Sequence, residues 1–189
     1  MKHSALGLLA LGVALAAQPD GSFFAGPGTH GAYLDGAPLL PGTAILPGDV
    51  VTTESGGAVL LTPTQGGGAI ELAGGGSAAL PGGSNSLIIT KGNALVVGNV
   101  RVTTPQGATF VPGQNSSYVV NVGGAQAGMG VLSGSVKTLL GNGTISTVSA
   151  GSAIQVGKGN SARAIRFAEL TRPDPNGIMP QVIPASQSR

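Results

Sequence analysis

Residues 47–62 read PGDVVTTESGGAVLLT. Two runs rich in β-branched and aliphatic residues, 50–53 and 58–62, follow Pro47-Gly48 and are separated by Gly56-Gly57. Each run is too short for a helix and has the side chains that suit a pleated, half-buried surface, so both predict strands. The Pro-Gly and Gly-Gly pairs predict the turns between them, because they supply the fixed and the positive φ values that tight turns require.

Outward from that stretch the same theme recurs. Strands are expected at 69–72, 87–90, 94–97, 100–103, 118–122, 135–140, 144–148 and 153–156. Asp35-Gly36 and Asn142-Gly143 are dipeptides that favour two-residue hairpins, in which both central positions take positive φ. In Val100-Arg101-Val102-Thr103 the valines share one face and the polar residues the other, the alternation of a strand with one buried side. Composition agrees: 34 Gly and 13 Pro among 189 residues put about a quarter of the chain in helix breakers, while 41% hydrophobic content supports a core. A weak echo relates the stretch from Ile89 to that from Ser133, about 44 residues on, a spacing found in repeat architectures. The expectation is an all-β protein, a short-stranded β-roll or irregular β-solenoid of stacked sheets, with one short C-terminal helix.

The ends differ from the middle. Lys2 and His3 precede an apolar run at 5–17 that closes on Ala14, Ala16 and Ala17, the layout of a secretory signal peptide cleaved near Ala16 or Ala17. A membrane span needs about 20 apolar residues, and Gln18, Pro19 and Asp20 interrupt this run too early. The mature chain is therefore expected to be extracytoplasmic, periplasmic or secreted, and to lack a transmembrane helix. The organisation expected is a leader at 1–17, an N-terminal extension at 18–30, a β domain at 31–157, and a short helix with a Pro-containing tail at 158–189. The helix is expected at 161–170, with Ser161 as its cap.

Composition and motifs exclude several chemistries. The absence of Cys removes disulfides, thiolate metal sites and a cysteine nucleophile. Nine Lys and Arg against seven Asp and Glu leave +2, and the absence of Trp and of a basic cluster argues against nucleic-acid binding. Beyond the leader the chain has one histidine, His30, and no Gly-x-Ser-x-Gly elbow, so a triad with Asp35 or Asp49 lacks support. Asp49 and Glu54 form a formal carboxylate pair for hydrolysis or Ca²⁺, but an Asp after Pro-Gly is better read as a turn former, and Asp35 and Glu71 stand apart. Gly66-Gly67-Gly68 and Gly74-Gly75-Gly76 lack the Lys-Ser/Thr and helix of a phosphate loop and are expected to be hairpin loops. Asn115 and Asn142 head formal glycosylation sequons. Phe23-Phe24 reads either as a plug for the first layer of the core or as an exposed apolar contact. No catalytic residue, cofactor site or metal site is expected, and the chain is not expected to be an enzyme.

The order of segments nevertheless resembles a known family. Leu34-Asp35-Gly36-Ala37-Pro38-Leu39, then Pro47-Gly48-Asp49-Val50-Val51-Thr52-Thr53 and Gly57-Ala58-Val59-Leu60-Leu61, is similar to the opening of FecR-like domains. Val102-Thr103-Thr104-Pro105-Gln106-Gly107, Gly130-Val131-Leu132-Ser133-Gly134-Ser135-Val136 and Val148-Ser149-Ala150-Gly151 resemble the family's later segments. The resemblance spans about residues 31–157. It implies the periplasmic β domain of regulators that pair such a domain with a transmembrane helix and a cytosolic anti-sigma segment, and that receive a signal from an outer-membrane iron-siderophore transporter. With no cytosolic segment expected ahead of the leader, the anti-sigma role is not expected to carry over. What the resemblance implies is the fold and a non-enzymatic protein-interaction or signalling-associated role in the cell envelope, with an envelope protein as partner. The alternative is a structural surface or matrix subunit that self-associates through strand edges or tails, motivated by low charge and strands with open edges.

Overall fold

Residues 50–63 form one strand. The computed structural model describes residues 19–170 except Ser84. Its strands are β1 (Phe23–Ala25), β2 (His30–Leu34), β3 (Ala37–Pro38), β4 (Ala44–Ile45), β5 (Val50–Pro63), β6 (Gly68–Ala79), β7 (Ser86–Gly98) and β8 (Arg101–Thr103). They continue with β9 (Ala108–Pro112), β10 (Ser117–Val122), β11 (Gln126–Ser133), β12 (Ser135–Leu140), β13 (Ile145–Ser149), β14 (Ser152–Gly157) and β15 (Ala162–Arg166), followed by one helical turn, α1 (Phe167–Leu170).

β5, β6 and β7 are the spine, and their length corrects the expectation of uniformly short strands. Gly56-Gly57 does not end a strand; the β5–β6 register shifts between Thr52 and Ala58, and the ladder resumes beyond the bulge. Gly74-Gly75-Gly76 likewise lies inside β6 as a bulge and not in a hairpin loop. The physical reason is that a bulge needs an unpaired residue and a bend, which glycine permits without breaking the strand. At these bends the backbones come too close for side chains. A Cβ on Gly57 would lie 2.2 Å from the Gly31 carbonyl oxygen, and one on Gly92 of β7 would lie 2.5 Å from the Gly76 Cα. The Thr53 hydroxyl accepts the Gly76 N–H at 2.9 Å, pairing a buried amide that lies in the bulge.

The bend divides the sheet into two wings that share the spine. The first runs β3–β2–β5–β6–β7–β8–β9–β12–β13 and the second β4–β1–β5–β6–β7–β10–β11–β14–β15. Every pairing is antiparallel except β7 with β8. After β7 the chain adds two strands to the first wing, two to the second, two more to the first and two more to the second. Thus β8 begins at Arg101 and its later counterpart β12 at Ser135, 34 residues on. The 44-residue echo is not this period: it matches β8 with β13 within the first wing but β9 of the first wing with β14 of the second. In place of stacked roll or solenoid coils, the described residues form one continuous fifteen-stranded sheet. The all-β class stands.

Alternate residues of both wings point into one apolar cluster. Phe23, Phe110, Tyr118 and Met129 are among its largest fully buried members, and Val100 and Val102 lie in it while Arg101 faces out. Each fully buried Val, Leu, Ile, Phe or Met contributes about 1.5–3 kcal/mol relative to exposure, so the alternation fixes which face turns inward. The Tyr118 hydroxyl donates to the Val100 carbonyl at 2.7 Å, and burial pushes its phenol far above the ordinary range.

Two further local expectations meet different outcomes. Asp35 and Gly36 take φ of 49° and 85°, the hairpin turn expected. Asn142 stays outside the positive-φ set while Gly143 is at 83°, and the loop spans residues 141–144. Its Asn142 Oδ1 accepts the Thr144 N–H at 3.0 Å, an Asx-type closure that makes the longer loop favourable. The helix expected at 161–170 is mostly a strand: β15 pairs with β14 from Ala162↔Val156 to Arg166↔Ser152, and only α1 is helical. An open sheet edge offers that segment a full set of backbone partners, which outweighs modest helix propensity. The leader at 1–17 and the tail beyond residue 170 lie outside the described residues, and within those residues no helix is long and apolar enough to cross a membrane.

Candidate interaction surface

The residues weighed for chemistry serve the turns. Asp49 Oδ2 accepts the Leu46 N–H at 2.8 Å, and Asp35 Oδ1 accepts the Val50 N–H at 3.0 Å, tying the first hairpin to β5. Glu54, in the β5 bulge, accepts a short hydrogen bond from the Tyr33 hydroxyl. That bond, together with the nearby negative charge, raises the Tyr33 phenol above its ordinary value. His30 is exposed, with Nδ1 2.7 Å from the Gly28 carbonyl oxygen. Glu71 is exposed in mid-β6, between Leu60 and Leu95 on the neighbouring strands. Among the described residues no three of His, Cys, Asp and Glu gather as a metal site.

Gly66-Gly67 lie in the β5–β6 hairpin connection, as expected, and Gly68 opens β6. Asn115, at φ 51°, sits in the turn between β9 and β10. The two residues of Phe23-Phe24 part: Phe23 is fully buried in the core, as the plug reading expects, and Phe24, on the opposite face of β1, is 39% exposed.

What the fold presents outward is surface. On the first wing, Val50, Ala79, Ile88, Thr103, Thr109, Leu139 and Ile145 are successive cross-strand partners from β5 to β13. Not one of them is charged. Ile145 is 65% exposed, and the Thr103 and Thr109 hydroxyls meet at 3.2 Å in the middle of the row. The neighbouring row carries Arg101 and Lys137 on either side of Val111. The row ends on β13, which among the described residues pairs with β12 alone, its other edge carrying no strand. Local patterning supplied the strands; the alignment of seven residues from seven strands into one row depends on register and was not legible beforehand.

The second wing is different because α1 covers part of its outer face. Ideal Cβ atoms on Gly128 and Gly130 of β11 would lie 2.2 Å from Leu170 Cδ1 and 2.6 Å from Phe167 Cε2. These glycines make the seat for the turn, and both faces of β11 are buried as a result. The signal in the sequence was Ala127-Gly128-Met129-Gly130-Val131, small residues alternating with large ones, which sequence reasoning did not single out.

No family model matches the chain, and no curated protein matches it. Among solved structures, a "putative anti-sigma factor" from Parabacteroides distasonis shares the fold at a TM-score of 0.50 and 16% identity, over 62% of this chain and 59% of that one. A second crystal structure of a protein so named, from the same organism, gives 0.49 at 15% identity, with the same coverage. The chain thus spans less than two thirds of the length of the protein it matches, and the likeness is one of fold.

Proposed function

We propose that this chain is an exported, non-enzymatic, FecR-like contact module that binds an envelope protein through the outer face of its first wing. The observation that carries the reading is the uncharged row from Val50 to Ile145, which ends on the open edge of β13. A row of Val, Ala, Ile, Thr and Leu offers apolar area at little desolvation cost. An adjacent unpaired strand edge offers backbone donors and acceptors to an extended partner segment. The fold likeness to a protein named as an anti-sigma factor supports a signalling context. The carboxylates support a non-enzymatic role, since Asp35 and Asp49 are engaged with backbone amides and Glu54 with a phenol.

The test places a photo-crosslinking residue at Ile145 or Thr147 of β13, and at Thr62 on the second wing as control, in the native host. One discrete adduct from both β13 positions and none from Thr62 is the expected result. Equal labelling at all three positions, or none, would overturn it. N-terminal sequencing of the same recovered protein checks export: a start at Ala17 or Gln18 is expected, and retention of Met1 would remove the extracytoplasmic part of the reading.

A further inference from the structure

We infer that copies of this chain associate head to tail, the β2–β5 end of one copy against the β12–β15 end of the next. This contact takes a second copy of the chain in place of the envelope partner proposed above, and the two share Val50 and Ile145. Among residues 19–170 the acids are Asp20, Asp35, Asp49, Glu54, Glu71 and Glu169, and every Lys and Arg (Lys91, Arg101, Lys137, Lys158, Arg163, Arg166) comes after the first five of them.

The topology turns this order along the chain into an order in space. Strands before the spine lie at one end of both wings, and strands after it are added progressively farther away, to β13 and β15 at the other end. Asp35, Asp49 and Glu54 therefore mark one end of the sheet, and Lys137, Lys158, Arg163 and Arg166 the other. Glu169 of α1 offsets one of the four cations at the far end, and the two ends still carry opposite net charge.

Each end also exposes apolar side chains beside its charges. At the acidic end Leu40 is 67% exposed, with Leu46 and Val50 near 40%. The backbone amides of Leu46 and Val50 bind the Asp49 and Asp35 carboxylates, so charge and apolar surface are contiguous there. At the basic end Ile145 stands out from β13, and on β15 the Arg163 guanidinium is held by two hydrogen bonds to Gln155 Oε1, at 2.9 and 2.6 Å. Lys158 and Arg166 are exposed nearby in the chain.

Complementary patches at opposite ends of one molecule make a heterologous contact, so association proceeds past the dimer, as an open series or as a ring where the rotation closes. A second copy is the occupant because each end supplies what the other lacks. Continuation of the hydrogen-bond ladder is not the mode. β3 has two residues and contains Pro38, which has no N–H to donate, so side chains carry the contact.

Sedimentation velocity on the purified chain over a concentration series tests this. At low salt the mean mass is expected to rise past the dimer, and in about 0.5 M salt, where the Debye length is only a few ångströms, to return to the monomer. Lys158→Glu with Arg166→Glu blocks the basic end and Leu40→Lys blocks the acidic end; each variant alone should stay monomeric. An equimolar mixture of the two should stop at a dimer, since one intact contact remains. A wild-type chain that is monomeric at low salt, variants that grow like wild type, or a mixture that grows without limit would each overturn the inference. If a variant fails to fold by circular dichroism, the salt dependence of the wild type decides alone. No envelope component is present, so failure here leaves the crosslinking reading untouched; a β13 adduct with the mass of two copies of the chain would support this inference and overturn that reading.

Discussion

Replacing Gly92 with alanine separates the two reasons for which glycine occupies the bend. Gly92 has φ +91°, and a Cβ there would sit 2.5 Å from Gly76 Cα and 3.0 Å from Gly76 N. The left-handed backbone costs an L-residue about 1–2 kcal/mol. The contact is with backbone, which cannot rotate away, so relief requires a strand shift of the overpacking kind, at about 1–3 kcal/mol more. The sum is about 2–5 kcal/mol. Gly36 provides the control: its φ is +85°, nearly the same, but nothing lies within 4 Å of its Cβ position. Gly36→Ala should therefore lose only the backbone part, about 1–2 kcal/mol. Urea denaturation followed by far-ultraviolet circular dichroism reads the difference. With a slope of about 2 kcal/mol per molar, Gly36→Ala should lower the midpoint by about 0.5–1 M and Gly92→Ala by about 1–2.5 M. Equal shifts for the two variants would refute the argument that close strand approach, beyond φ alone, requires glycine at the bend.

Two further predictions concern α1 and the tyrosines. Gly130→Val fills the seat under Phe167 and Leu170, so α1 should leave β11 while the core persists; limited proteolysis should then cut near residues 166–170 with the main unfolding transition little changed, and continued protection would contradict the seat. In an alkaline titration followed at the tyrosinate absorbance, Tyr33 should ionise above the ordinary phenol value of about 10, and Glu54→Gln should move it back down. Because the folded-state value is raised, this interaction is present below the ordinary value and is lost as pH rises through the raised one. Tyr118, buried and donating to Val100, should stay protonated until the protein unfolds. Two phenols titrating together in the folded protein would contradict both assignments.

Much of the site is legible only after folding, and particular residues show why. Asp49 could be read as a turn former from its neighbour Gly48, because its hydrogen bond to the Leu46 amide is a local event, whereas the bond of Asp35 to the Val50 amide joins residues 15 apart and needs the folded sheet. Phe24 could not be separated from Phe23 by any local rule; burial of one and exposure of the other follows from the partners of β1, Ile45 and Pro63 among them. The uncharged row on the first wing and the segregation of charge between its ends both need the strand order. Neither has a signature within any one strand.

The sequence by itself determined the all-β class, the inward set of alternating Val, Leu and Ile, and the Asp35-Gly36 hairpin, because each depends on residues within a few positions of one another. Tertiary structure decided whether Gly56-Gly57 and Gly74-Gly75-Gly76 would end a strand or bend it, whether residues 162–166 would coil or pair, and how two wings would grow from one spine. Glycine permits both a turn and a bulge, and a short alanine- and arginine-containing segment permits both helix and strand. The choice fell to backbone hydrogen-bond partners that lie far away in the chain and close at hand only in the folded sheet.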